Sequence, residues 1–208
     1  MVTSEAQLNV DLLGDCAVRF EIAATRLDLA ALKSKLLEHD ALLALVPTCD
    51  SLTLRFAPGV DLPAAARRAE LALQQVQHFA RQVRLIEIPL VDEPGEDLAA
   101  LAEHARLTSE GFLTAFCALR FEVAHIGFQP GFPYLLGLPE AFKLDRRATP
   151  RARVPAGSVA IGGAYAGIYP NATPGGWHLL GRTETRLFDV NLSDPSLLAP
   201  GDHVRFVR

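Results

Sequence analysis

The chain has 208 residues, half of them hydrophobic and 21% charged, with a net charge of −4. That length buries a real core in one large domain or two small ones, and the acidic balance gives no electrostatic reason to meet nucleic acid, whose binding rests on Lys and Arg against phosphate. No apolar run approaches the ~18 residues that span a bilayer, so no membrane is expected. Glu5 and Asp11 stand where a signal peptide would be basic. The cysteines, Cys16, Cys49 and Cys117, lie far apart and in no CxxC pair, which fits buried thiols of a reducing cytoplasm better than a disulfide or zinc site.

Taken in order, residues 7–23 alternate, with Leu8, Val10 and Leu12, then Gly14-Asp15, then Val18, Phe20 and Ile22. The pattern predicts a hairpin with one buried face. Asp28 is placed to cap a helix carrying Leu29, Leu32 and Leu36 on one side. Leu43 to Val46 reads as a strand, and Leu52, Leu54 and Phe56 alternate in the next. Pro63 starts a second helix, where its missing N–H costs nothing, with Ala69, Leu73, Val76 and Ala80 facing inward. Strands and helices in this succession predict an α+β domain over residues 1–81, an α/β sandwich of ferredoxin-like type. No cluster in it suggests chemistry, and its expected work is packing, positioning and partner contact.

The composition shifts near Arg81, which puts a second domain at residues 82–208. Residues 83–91 alternate as a strand ending in Pro89. Two short helices follow, the first with Leu98, Leu101 and Ala105, the second with Phe112, Leu113 and Phe116. The short joint at Arg106-Leu107-Thr108 invites a helix-turn-helix reading, but Ser109 to Ala118 holds no Lys or Arg to meet DNA, so the helices are expected to cap a barrel. From Arg120 onwards the chain is short strands and turns, finishing with the Pro200-Gly201-Asp202 turn and the strand His203 to Val207, the signature of a β barrel or sandwich.

The densest information lies between Gly127 and Arg182, in GFQPGFPYLLGLPE, ATPRARVPAGSVAIGGAYAGIYP and NATPGGWHLLGRT. Glycine reaches positive φ and proline fixes φ, so together they hold tight turns that expose backbone N–H groups. Short apolar runs at Ser158 to Ile161, Gly167 to Tyr169 and His178 to Leu180 read as strands. There is no GxxxxGK[ST] phosphate loop. Ile161-Gly162-Gly163 and Pro174-Gly175-Gly176-Trp177 are either ordinary turns or concave nests of N–H groups for an anion. Arg151, Arg153 and Arg182 are either partners of such an oxyanion or members of salt bridges. Arg182, five residues beyond Trp177, is placed to reach back towards the PGGW loop. Ser158 sits in no nucleophile elbow, and the six histidines show no metal-binding spacing, so no metal is expected. His178, the one histidine inside the motif, is either the histidine of a site or a strand histidine with a satisfied hydrogen bond. Phe128, Phe132, Tyr134, Tyr169 and Trp177 wall a small-molecule pocket or fill a core; Phe128 and Phe132 are expected in the core, and Tyr169 and Trp177 are the better pocket candidates.

The strings GFxPGFxYLxGLP, TPRxRVPAGSVAIGG, GIYP and PGGWxLxGRT resemble those of the carboxyltransferase-type subunit of the ATP-dependent 5-oxoprolinase and allophanate hydrolase family. The resemblance implies a cyclophilin-like β barrel for the second domain. It implies a subunit, inactive alone, of an assembly that opens 5-oxo-L-proline to L-glutamate with ATP, which phosphorylates the lactam oxygen and turns it into a leaving group. The partners implied are a second carboxyltransferase-like subunit, which shares the ATP site, and a third subunit. Arg182, Arg153 and His178 are then candidates for the chemistry, and Gly162, Gly163, Tyr169, Pro174, Gly175, Gly176, Trp177 and Arg151 for substrate contact. Some similar members are described as inhibitors of a sporulation histidine kinase, which would make the partner a kinase and the chain non-catalytic; allophanate hydrolysis is a third option. Two departures stand out: Ala164-Tyr165-Ala166-Gly167 replaces the common Gln-Thr before GIYP, and Leu90 to Asp97 keeps Asp97-Leu98 but lacks a Tyr-Gly-Gly character.

Overall fold

The computed structural model describes residues 8–22, 29–37, 41–48, 50–76 and 83–208, and the chain divides into two compact units, Met1–Gln82 and Val83–Arg208. In the first unit, strands β1 (Val10–Leu13), β2 (Ala17–Glu21), β3 (Leu42–Pro47) and β4 (Ser51–Phe56) form an antiparallel sheet in the order β1-β2-β4-β3. Helices α1 (Leu29–Leu37) and α2 (Leu62–Gln75) pack together and onto β3 and β2. Gly14, at φ 62°, makes the β1–β2 turn. The Asp61 carboxylate accepts from the Ala64 N–H at 3.0 Å and, with Pro63 in the first turn, fixes where α2 begins.

Val18, Phe20, Leu52, Leu54 and Phe56 are buried with Leu32, Ala65, Ala69 and Leu73, as the alternation on β2 and β4 predicts. The buried face stops short of β1. Val10 and Leu12 pair with Phe20 and Val18 but stay exposed, because β1 is an edge strand and the helices lie over β2 and β3. The connectivity of the described elements is β-β-α-β-β-α, not the β-α-β-β-α-β of a ferredoxin-like sandwich. The edge beside β2 is taken by a strand that precedes it in sequence. The expected cap at Asp28, the inward Ala80 and Cys49 lie outside the described residues.

The second unit carries β5 (Leu85–Pro89), α3 (Leu98–His104), α4 (Ser109–Ala118), β6 (Phe121–Ile126), β7 (Pro133–Leu136), β8 (Arg151–Val154) and β9 (Ser158–Gly162). It continues with β10 (Tyr165–Ile168), β11 (Thr173–Gly175), β12 (His178–Arg182) and β13 (His203–Val207). Seven strands form a curled sheet in the order β12-β9-β10-β7-β6-β13-β5, and β8 and β11 pair separately. Only the β5–β13 pairing is parallel among the described strands. β10 starts two residues earlier than its apolar run suggests, because Tyr165 and Ala166 pair with Gly162 and Ile161 around a turn in which Gly163 has φ 62°.

Beyond β5 the chain closes the curl. Leu90 N–H donates to the Val207 carbonyl at 2.8 Å. The N–H groups of Val91, Gly95 and Asp97 then donate to the carbonyls of Arg182, Leu180 and Leu179 at 2.9, 3.1 and 2.9 Å. Residues 90–97 are thus a strap from the β5 edge to the β12 edge. A Cβ on Gly95 would lie 2.4 Å from the Leu179 carbonyl oxygen, so only glycine permits this approach. Phe112 and Phe116 of α4 pack into the core with Phe121 and Phe206, the Phe116 and Phe206 rings 5.0 Å apart. The apolar face of α4 is spent on this packing, as expected of a capping helix.

Candidate functional site

A cavity of about 680 Å3 lies within the second unit at the end of the sheet where the β6–β7 loop, the β10–β11 connection and the entry to β12 meet. Phe132, just before β7, is its aromatic centre. Its ring lies 5.1 Å from Tyr169, 5.2 Å from Tyr134 and 5.3 Å from Trp177, each contact tilted or edge-to-face, the arrangement the ring quadrupole favours. Small residues make the room. A Cβ on Gly162 would fall 2.6 Å from the Trp177 indole, one on Gly167 2.8 Å from it, and one on Gly175 2.4 Å from the Tyr169 hydroxyl. Burial pushes the Tyr169 phenol above its ordinary value, against a hydrogen bond from the Trp177 backbone N–H. Burial likewise raises the Tyr134 phenol, while the charge of Arg146 pulls the other way.

Phe128 stands at the mouth. It is 61% exposed, not in the core where its apolar ring is expected, because it sits beside the cavity in a turn at φ 64°, a region an aromatic L-residue rarely adopts. The Gln129 N–H donates to the Gly127 carbonyl at 2.7 Å across it, closing a three-residue turn of the uncommon hand. Phe132 N–H then donates to the Gln129 carbonyl at 3.0 Å, with Pro130 and Gly131 (φ 80°) in the central positions a type II turn demands. The Phe128 ring packs against Phe132 at 5.4 Å and Tyr169 at 6.3 Å.

The arginines divide sharply. Arg151 Nη2 donates to both oxygens of Asp97 at 2.8 Å, and its Nε donates to Glu96 at 3.0 Å. Arg147 adds a bond to Asp97 at 3.1 Å, and the Leu179 N–H adds one at 2.7 Å. Asp97 is only 8% exposed. Burial would raise its pKa, but the bonds from Arg151 and Leu179 outweigh it and hold the carboxyl below its ordinary value. Arg151, expected at the ligand, is thus an anchor of the strap. Arg146 also lines the cavity and makes no ion pair among the described residues.

Of the other expected site residues, Tyr169, Pro174, Gly175, Gly176 and Trp177 line the cavity. Gly162 makes room for the indole, and Gly163 spends its N–H on the Leu144 carbonyl at 2.8 Å, so this pair is a hairpin turn and not an anion nest. Gly176 is not at positive φ, and a Cβ there would meet nothing closer than 3.7 Å. His178 Nε2 is 2.9 Å from the Asp145 carbonyl, to which it donates, and Arg147 N–H donates to the Gly176 carbonyl at 2.8 Å. His178 therefore pins the loop that carries Arg146. Arg153 is exposed on β8, outside the cavity. Arg182 ends β12, roughly 16 Å of strand from Trp177 at ~3.3 Å per residue. It pairs with Glu93 of the strap at 3.3 Å, beside a smaller cavity of about 150 Å3 that Ser158 also borders. No three His, Cys, Asp or Glu side chains group as metal ligands among the described residues, and no described helix is long and apolar enough to cross a membrane. Arg146 and Arg147 escaped sequence reasoning because their loop has no periodicity and precedes the recognisable TPRARVPAGS string; two adjacent arginines were the available signal.

The profile of the carboxyltransferase domain, subdomain C and D, matches residues 8–198. The chain is 39% identical over 205 residues to the B-type subunit of 5-oxoprolinase from Escherichia coli O157:H7, covering 94% of each protein. It is 46% identical over 150 residues to the B-type subunit of 5-oxoprolinase from Haemophilus influenzae, covering 71% of this chain and 70% of that protein. Among solved structures, that of TTHA0988 superposes with a TM-score of 0.76 at 33% identity over 92% of this chain, which spans 39% of that longer one.

Proposed function

This chain belongs to the carboxyltransferase-domain family, subdomain C and D, and from that premise we propose that it is the B-type subunit of an ATP-dependent 5-oxoprolinase, a hydrolase that opens 5-oxo-L-proline to L-glutamate. The observation that carries the reading is likeness along nearly the whole length of both proteins to a 5-oxoprolinase subunit of that type. In this reading the second unit is a cyclophilin-like barrel, and its partners are a second carboxyltransferase-like subunit and a third subunit in the cytoplasm.

The chemistry sets the requirements. Amide resonance protects the lactam from water, so ATP phosphorylates the carbonyl oxygen. Water then adds to the activated carbon, the C–N bond breaks with the amine as leaving group, and hydrolysis of the resulting acyl phosphate releases phosphate and L-glutamate. Such a path needs donors for the developing oxyanion, fixed before reaction and shielded from water. The aromatic cavity supplies the shielding, and Arg146 and Arg147 put positive charge on its wall. The second subunit contributes the remaining phosphate-transfer groups, ATP lying between the two chains. Co-expression with the two other subunits tests the reading through ADP formation that depends on 5-oxoproline. An assembled complex without that activity overturns it.

A further inference from the structure

We propose that Phe128 and Arg146 together select the ligand of this cavity, Phe128 packing against the ring of a small planar lactam and Arg146 pairing with its single carboxylate. The inference rests on the 5-oxoprolinase reading and assigns two contacts within it. Arg146 lines the cavity wall without an ion pair among the described residues, whereas Arg147 and Arg151 are already held by Asp97 and Glu96. Its charge reaches the Tyr134 hydroxyl, on the aromatic side of the cavity. Asp145 lies on the same wall and also makes no ion pair among the described residues, while Arg147, the third charged group there, is paired with Asp97. Arg146 is thus the cation of this wall that no carboxylate among the described residues holds; a ligand with one carboxylate matches it, and a single such cation does not neutralise a triphosphate.

Phe128 supplies the second half. A protein that keeps a large aromatic residue at φ 64° and leaves it 61% exposed gains nothing obvious in folding from doing so. Such outliers persist where the surrounding structure holds them for a purpose. Here the hold is visible: two turns fix the backbone, and the rings of Phe132 and Tyr169 meet Phe128 edge-on from the cavity side. The ring is preformed at the mouth, so little ordering remains when a flat ligand packs on it.

The test uses the assembled complex for kinetics and the full chain for binding. Trp177 is the chain's single tryptophan and lines the cavity, so its fluorescence reports occupancy. Arg146→Gln should raise KM for 5-oxoproline about ten-fold, the worth of a charge-assisted hydrogen bond, and leave the inhibition constant of 2-pyrrolidinone, which lacks the carboxylate, within two-fold, on the order of experimental scatter. Arg146→Lys should recover part of the loss. Phe128→Ala should weaken both compounds by roughly five-fold, since the ring contact is common to them. ATP should not displace 5-oxoproline from the Trp177 signal. An active complex in which Arg146→Gln leaves KM unchanged, or weakens both compounds equally, overturns the assignment while the 5-oxoprolinase reading stands. So does a Phe128→Ala chain that fails to join its partners, which would make Phe128 a docking residue. A wild-type chain whose Trp177 fluorescence responds to ATP and not to 5-oxoproline overturns it as well. An inactive assembled complex removes the reading and the assignment together.

Discussion

At the scale of single residues, the cavity is shaped as much by missing side chains as by present ones. Gly175 is the glycine that matters in the PGGW loop, because a Cβ there would sit 2.4 Å from the Tyr169 hydroxyl, whereas one on Gly176 would make only ordinary contacts from 3.7 Å outward, and Gly176 is not at positive φ. Gly175→Ala should therefore lower the melting temperature by several degrees, and Gly176→Ala should change it by about a degree or less, both read by thermal unfolding. Phe128 allows an unusually clean comparison. In most positions glycine is less stable than alanine by ~0.5–1 kcal/mol, but at φ 64° the order should invert, so Phe128→Gly melts above Phe128→Ala. The opposite order would mean that the turn does not hold its positive φ. Trp177 and Tyr169 were legible as pocket residues because glycine and proline flank large rings there. The division of labour among the arginines was not. Nothing in the string TPRAR tells that the Arg151 fork is filled by Asp97, over fifty residues earlier in the chain, while Arg146 is left uncommitted.

At the scale of elements, the strap at residues 90–97 and its anchor Asp97 decide whether β12 and the cavity wall hold together. Asp97 takes bonds from Arg151, Arg147 and the Leu179 N–H, so Asp97→Asn removes a nearly buried charge from two cations. The expected loss is roughly 2–4 kcal/mol, reduced from the figure for fully buried pairs because Arg147 is half-exposed. The pH dependence follows from the sign of the shift. The folded-state pKa of Asp97 lies below its unfolded value, so its contribution is complete above the ordinary carboxylate range and is lost as pH falls through the folded pKa. Wild type and Asp97→Asn should differ most at neutral pH and converge in acid, and a constant difference down to pH 2 would contradict this role. Alternation made β2, β4 and β13 readable, Pro63 did the same for the start of α2, and the spacing of Phe112, Leu113 and Phe116 for α4. The exposure of β1 was unreadable because an edge strand shows the same alternation as a covered one. The strap was unreadable because its hydrogen bonds run to β12, more than eighty residues away.

At the scale of the whole molecule, the chain offers a walled cavity, a loop of positive charge and a closed curl of strands, but no phosphate loop in its sequence and no metal-ligand cluster among the described residues. In the proposed reading this cavity is one half of a shared site. The purified chain alone should show no 5-oxoproline-dependent ATPase activity, and turnover should appear when the second and third subunits are added. The measurement that bears most directly on this is ADP release as a function of 5-oxoproline concentration, made in parallel on the isolated chain and on the co-purified three-subunit complex. Saturable, lactam-dependent ADP release by the complex, and none by the chain alone, is the predicted result. A complex that assembles yet hydrolyses ATP at the same rate with and without 5-oxoproline would contradict the account.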